Sequence, residues 1–332
     1  MEVLLMKTIT AEQAIFEAIK EEMTKDNKVV FFGEGAATKT SSKPFDLVRE
    51  FGKERVRNTP LSEGIIAGTA VGAAATGLRP IIDMLFVPFI MYAMEEVINS
   101  AASIRYISGG QFSFPFVLLA RTGCGWSTGA QHNRNLEALF CHIPGLKVVM
   151  PSNPSDFKGL LKSSIRDNNP VIFIEDLALL YMTGEVPEEE HLVPLGKAST
   201  LKTGKDLTLV SWAKTVHNCI KAAEALSKEG IDTEVIDLRT LKPLDEETIL
   251  NSVKKTGRLI VVHEASRTAG YGAEIAALAA EKTFPFLKAP IQRLTGPDAP
   301  PPSSYPLEQM YVPQSEKIIE TAKTLFAAPI KV

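Results

Sequence analysis

Short apolar runs recur along the chain, each closed by a small or polar turn and followed by an amphipathic stretch. Ala11–Lys25 reads as a helix and Lys28–Gly33 (KVVFFG) as a buried strand. Ser62–Gly77 is Ala/Gly-rich and helical; Arg79–Asp83 is a strand and Phe89–Ile107 a long helix. Pro115–Ala120 is a strand, His132–Phe140 a helix, Leu146–Met150 a strand, Pro154–Asp167 a helix and Pro170–Glu175 a strand. The rhythm lapses at Thr183–Gly196 (TGEVPEEEHLVPLG), whose prolines, glycines and glutamates predict a linker. It resumes with strands at Leu207–Trp212, Thr233–Leu238, Leu259–His263 and Ile291–Leu294. Helices alternate with them at Thr215–Glu229, Asp245–Thr256 and Tyr271–Lys282, and Ser315–Leu325 closes the chain. Pro297–Pro306, with five prolines, can be neither helix nor central strand. Alternating strands and helices with continuously apolar strands predict an α/β fold: two doubly wound domains, each with a mostly parallel sheet covered on both faces. The boundaries expected are 1–183 for the first domain, 184–204 for the linker and 205–332 for the second.

Composition narrows the class. A chain of 332 residues is long enough for two cored domains without disulfide or metal staples. Its net charge of −3 supplies no basic excess for nucleic acid or an anionic membrane. The most apolar run, Ile81–Met94, is broken by Asp83 and Pro88 and is too short to span a bilayer. Cys124, Cys141 and Cys219 are scattered and odd in number, and Met1–Thr10 lacks a secretory pattern, so a cytoplasmic setting is expected.

Candidate chemistry is sparse. In Thr59-Pro60-Leu61-Ser62-Glu63, Thr59 suits an N-cap, Pro60 the first helical position, and Glu63 the first turn, where the helix dipole favours a carboxylate. Glu63 reads equally as an ordinary first-turn charge. Gly64, Gly68 and Gly72 recur every four residues, which suits close approach of another backbone or a ligand, or simply a tightly packed helix. Gly270-Tyr271-Gly272 begins a dinucleotide fingerprint, but Ile275 stands in place of its third glycine. Gly33-Glu34-Gly35 resembles a metal-diphosphate turn, but no asparagine pair follows, so no metal is assigned there. None of the five histidines has zinc spacing. His132, after the Gly/Ser/Thr-rich stretch Thr122–Gly129, suits acid/base work or an anion contact, or a structural hydrogen bond. His263-Glu264, at a strand end, and Arg267 are further polar candidates.

Asn58–Ile81 (NTPLSEGIIAGTAVGAAATGLRPI) resembles the signature of the beta subunit of the thiamine-dependent decarboxylating component of 2-oxo acid dehydrogenase complexes. The resemblance continues through EEVINSAASIRYISGGQ, GAQHNRNLEALFCHIPGLKVVMPSNPSDFKGLLKSSIRDNNPVIF, EVIDLRTLKPLDEETI, TGRLIVVHEASRTAGYGAEIA and LTGPDAPPP, in order and over nearly the whole chain. It implies a pyrimidine-binding thiamine diphosphate domain followed by a transketolase-like C-terminal domain. It also implies an alpha2-beta2 heterotetramer in which thiamine diphosphate lies between subunits, with diphosphate and Mg2+ held by alpha, and a lipoyl-bearing acyltransferase as further partner. Transferred residue by residue, Glu63 bonds the pyrimidine ring nitrogen, favouring the imino tautomer that takes the thiazolium proton. Leu61 and Phe89 contact the pyrimidine, and His132 assists acylation of the lipoyl group. Phe116, Ser164, Ile165, Asp167 and Asn169 match a potassium-binding loop that ligates mostly through backbone oxygens.

The chain departs from the family pattern at Gly33–Val48, at Cys124-Gly125-Trp126 and at Asn133-Arg134, where the family has Ser-Gln after the histidine. The resemblance implies oxidative decarboxylation of pyruvate or a close 2-oxo acid, with acyl transfer to lipoamide. Acetoin and branched-chain 2-oxo acid dehydrogenase beta subunits are the neighbouring readings. A non-catalytic assembly subunit, motivated by the departures, is the alternative from another class.

Overall fold

The computed structural model describes residues 5–39 and 46–327. Residues 40–45 of the Gly33–Val48 departure, the first four residues of the Met1–Thr10 reading and the last five of the second domain lie outside the described residues. The first part of the chain carries β1 (Met6–Thr10), β2 (Val29–Gly33), β3 (Val56–Asn58), β4 (Arg79–Phe86), β5 (Val117–Thr122), β6 (Lys147–Val149), β7 (Val171–Asp176) and β8 (Thr183–Pro187). The second carries β9 (Ser199–Lys202), β10 (Leu207–Ser211), β11 (Thr233–Asp237), β12 (Thr240–Lys242), β13 (Leu259–Ser266) and β14 (Gln292–Gly296).

Two mostly parallel sheets result. The first has the order β3-β2-β4-β5-β7-β6-β12, parallel except for β12. The second has the order β14-β13-β10-β11-β9, parallel except for β9. All six residues of β7 are buried, as expected of a strand covered on both faces. In the first domain the helices Ala11–Lys25 and Pro154–Arg166 fill one side with Ile15, Ile19, Phe157 and Leu161. The helix Glu63–Ala75 and the segment after β4 fill the other with Ile66, Ala70, Ile90 and Val97. That second layer runs without a break into Trp212, Leu241 and Ile275, so one apolar core crosses between the domains. β12, from the second half of the chain, completes the first sheet at its edge.

Several elements differ from expectation. Thr59 does not cap a helix: its N–H donates to the Gly33 carbonyl at 3.0 Å, which keeps it in the sheet edge, and Ser62 is the N-cap of a helix that begins at Glu63. Pro60 therefore precedes the helix. Phe89–Ile107 is not one α-helix but a 3₁₀ stretch (Val87–Ala93), a π turn (Glu95–Ala102) and a short α turn (Ile104–Ile107). Pro88 sits at the start of the 3₁₀ stretch, and Ser103 Oγ donates to the Ile98 carbonyl at 2.8 Å, a five-residue step that holds the wider turn. The helix read at His132–Phe140 is confined to Glu137–His142, because Thr122 Oγ1 captures the Arg134 carbonyl at 2.7 Å and diverts the backbone before it. The expected linker is strand at each end: β8 pairs antiparallel with β1, and β9 joins the second sheet. A helix begins at Tyr305, inside the proline-rich stretch, with Pro306 in its first turn, where no N–H is missed.

Strand order reverses between β2 and β4, and Gly33 is paired with Asp83 at that point. Gly33 has φ +151°, and a Cβ there would lie 2.3 Å from the Asp83 carbonyl oxygen. Gly33→Ala is expected to lower folding stability by about 2–3 kcal/mol through backbone strain and overpacking. A thermal melt within a degree of wild type would show that the strand ends can spread at no cost.

Candidate functional site

Parallel strands send their outgoing turns to one rim, and the crevice where strand order reverses is the expected ligand position. Glu63 follows β3, Phe89 follows β4 and His132 follows β5, so the three follow strands of one parallel sheet on the same rim, with β2 between β3 and β4. The structure brings Phe89 and His132 together: their rings are 5.3 Å apart at 79°, and Phe86 stands edge-on to both, at 5.9 Å from Phe89 and 4.8 Å from His132. Glu63 opens its helix, half-buried, where the dipole favours its charge. Its carboxylate makes no hydrogen bond or ion pair among the described residues. Gly64 beside it faces the Tyr92 carbonyl, only 3.1 Å from where a Cβ would be, so the Phe89 segment is drawn against the start of this helix. Leu61, 70% exposed, precedes Glu63 on the same turn. The ring contact joins Phe89 and His132 to each other and does not include Glu63, and an unpartnered carboxylate at a helix start on this rim can bond a ring nitrogen of a ligand.

His132 rides on a loop held by the second domain. Glu308, wholly buried in the helix Tyr305–Tyr311, accepts hydrogen bonds from Gly125 N, Ser127 N and Asn133 Nδ2. At the foot of the loop, Glu264 Oε1 accepts from Cys124 N at 2.7 Å, and Lys214 Nζ donates to the Cys124 carbonyl and pairs with Glu264. Glu137 and Asp176 share this buried space, so three carboxylates face one ammonium. Burial and then the Glu264 charge push Glu137 up to about 7, with Trp212 pulling the other way. Burial pushes Asp176 up to about 6, opposed by Lys214 and reinforced by Glu264. Sequence reasoning passed over Glu308, Lys214, Glu137 and Asp176. Nothing in the sequence marks a lone charged residue at a helix start, in a short helix or at a strand end as buried.

His263 lies away from this rim. It is buried and stacked on Trp212 at 4.9 Å, and burial lowers it to about 3. Cβ atoms at Gly270 and Gly272 would meet its ring at 2.8 and 2.6 Å, so those glycines make room for a side chain.

The loop matched to potassium is brought together around Arg79. Its Nε donates to the Ile165 carbonyl at 2.8 Å, Nη2 to the Asp167 carbonyl at 2.6 Å and Nη1 to Asn168 Oδ1 at 3.1 Å. The Phe116 carbonyl accepts from Val171 N at 3.0 Å and the Ser164 carbonyl from Asp167 N at 3.3 Å. Asp167 pairs with Lys147, and Asn169 Oδ1 accepts from Arg105. Each carbonyl keeps a second lone pair. Oxygen donors of this kind suit a hard cation on the side away from the guanidinium.

Comparison with known proteins agrees with the two-domain fold. Residues 7–182 match the transketolase pyrimidine binding domain and residues 196–318 the transketolase C-terminal domain. The chain is 42% identical to the beta subunit of the acetoin:2,6-dichlorophenolindophenol oxidoreductase of Bacillus subtilis (strain 168), over 98% of this chain and 99% of that protein. It is 43% identical to the mitochondrial pyruvate dehydrogenase E1 component subunit beta of Dictyostelium discoideum, over 96% of this chain and 91% of that protein. A solved structure described as a split gene transketolase, inactive beta4 tetramer, shares the fold with a TM-score of 0.81 at 23% identity, over 96% of this chain and 99% of that one. Among the described residues no helix is long and apolar enough to cross a membrane.

The buried acids set a pH dependence. A carboxyl that ionises near 4 when unfolded and near 7 when folded binds more protons in the folded state between those values, so its contribution is present below about pH 4 and lost as pH rises through about 7. Glu137→Gln is expected to raise the melting temperature over wild type by an amount that grows from pH 5 to 7 and then levels off. A difference independent of pH would show that Glu137 does not carry that proton.

Proposed function

Because the chain belongs to the transketolase-like family of pyruvate and acetoin dehydrogenase beta subunits, we propose that it is the beta half of a thiamine-diphosphate-dependent decarboxylating component acting on pyruvate or a close 2-oxo acid. The observation that carries this is the unpartnered Glu63 carboxylate at a helix start on the reversal rim, in a chain matched nearly end to end by such subunits. Glu63 holds a proton at a ring nitrogen of the pyrimidine, and Leu61 and Phe89 pack its faces. Thiamine diphosphate, when bound, supplies the electron sink for the bond broken as carbon dioxide leaves. His132, wedged between Phe86 and Phe89, handles protons at the sulfur of an incoming lipoyl group. The lipoyl disulfide is the oxidant: it takes two electrons, one sulfur leaves as thiol and the other receives the acyl group.

An alpha subunit would complete the heterotetramer and carry the diphosphate and Mg2+. Supporting this, Leu61, Ile65 and Tyr92 stand 70%, 72% and 78% exposed around the start of the Glu63 helix. The potassium loop is a further expectation. Replacing potassium by tetramethylammonium at constant ionic strength should lower the melting temperature by about 2–4 °C; identical melts would remove the ion from the account.

Acetoin as substrate is the second reading, favoured by the 42% identity to the acetoin-oxidising subunits of Bacillus subtilis and Cupriavidus necator. With the chain assembled with its alpha partner, thiamine-dependent turnover of pyruvate, other 2-oxo acids and acetoin separates the two. In the same assay Glu63→Gln should cost at least about a hundredfold in turnover. Activity within tenfold of wild type would sink the proton role.

A further inference from the structure

We infer that Glu308, from the second domain, is the positioning residue for His132. This rests on the function proposed above and goes beyond it by naming what holds the imidazole in place. The Glu308 carboxylate has no exposed surface and no cation partner among the described residues. A buried carboxylate must then be met by donors, and every donor it has comes from one loop. Gly125 N reaches Oε2 at 3.1 Å, Ser127 N reaches Oε1 at 3.1 Å and Oε2 at 3.2 Å, and Ser127 Oγ reaches Oε2 at 3.4 Å. Asn133 Nδ2, on the residue next to His132, reaches Oε1 at 2.9 Å.

These bonds pin both ends of the turn that carries the imidazole. Gly125 and Ser127 form a small anion nest, with Ser127 held at φ +55°, a conformation it would otherwise avoid. Asn133 is fixed at both ends of its amide, since Oδ1 accepts from Thr128 Oγ1 while Nδ2 serves Glu308. Ser303, just ahead of the Glu308 helix, stands 3.1 Å from where a Gly129 Cβ would be, so the turn also lies flat on that segment. With the turn fixed, His132 can enter the space between Phe86 and Phe89 in one orientation. Asn133, one of the departures from the family pattern, is thus the residue through which the second domain reaches the histidine.

The test uses the chain assembled with its alpha partner and compares wild type, Glu308→Gln, Glu308→Ala, His132→Ala and the double variant. Glu308→Ala should lower turnover in acyl transfer to lipoamide by about tenfold to a hundredfold, the size of effect expected when a reacting group is misplaced. The KM for the 2-oxo acid and turnover with an artificial electron acceptor should stay within about threefold. Glu308→Gln, which keeps an acceptor oxygen, should recover part of the loss. In the His132→Ala background, Glu308→Ala should cost nothing further in acyl transfer. Losses that multiply, or a KM effect alone, would overturn the inference. Hydrogen exchange across residues 123–134 tests the clamp without turnover. Glu308→Gln and Asn133→Ala should speed exchange at Gly125 and Ser127, and unchanged exchange would overturn the inference even if Glu308→Ala failed to fold. A wild-type complex with no thiamine-dependent turnover would instead sink the proposed function, while the exchange result still judged the clamp.

Discussion

Parallel alignment of β2, β3, β4, β5 and β7 is the constraint on which the site depends. Strands that point the same way must return by crossovers, and every crossover starts from the same rim. Glu63, Phe89 and His132 are far apart in sequence, yet each lies just beyond the carboxyl end of one of these strands. The apolar layers on both faces keep the sheet in register, and the Gly33–Asp83 contact lets the strands on either side of the reversal close up. A side chain at the rim inherits its position from that packing.

The two halves of the chain are not independent bodies joined by a tether. β12 finishes the first sheet, the apolar layer passes from Ile66 and Val97 to Trp212 and Ile275, and Lys214 and Glu264 grip the first domain at Cys124. Burying three carboxylates around one ammonium is costly. The structure tolerates it by letting protons stay on Glu137 and Asp176 toward neutral pH. The second domain thus reaches the rim without lining it, through the loop that carries His132.

The fold was legible where the physics is local. Runs such as Pro170–Glu175 read as buried strands, and their alternation with helices implied parallel sheets. Element ends were less legible because tertiary bonds decide them. Thr59 looks like a cap but is claimed by Gly33, and the Ser103 bond to the Ile98 carbonyl widens a turn within what reads as one helix. Thr183–Pro187 has turn-like composition, and only its pairing with β1 makes it strand. In the candidate site, Glu63 and His132 each sit at a strand-to-helix junction, and only the resemblance to known beta subunits singled them out there. Glu308 did not stand out, since its role exists only once a loop 175 residues away folds against it.

The helix Glu63–Ala75 joins the rim to an outward face. It has no charged side chain after Glu63 and is apolar on every side, a composition expected of a buried helix. Yet Ile65, Thr69 and Gly72 face outward, and a Cβ at Gly72 would meet nothing within 4 Å. With Leu61 and Tyr92 also exposed nearby, the apolar surface at the start of this helix suits a covering partner. The carboxylate without a partner and the apolar surface without a cover stand at the start and along the side of one helix. A subunit that covered that side and also reached the start of the helix would lower the local dielectric at Glu63 and strengthen whatever bond that carboxylate makes. On the proposed function, burial of that face and use of the carboxylate would come together in one assembly, because both belong to the same helix.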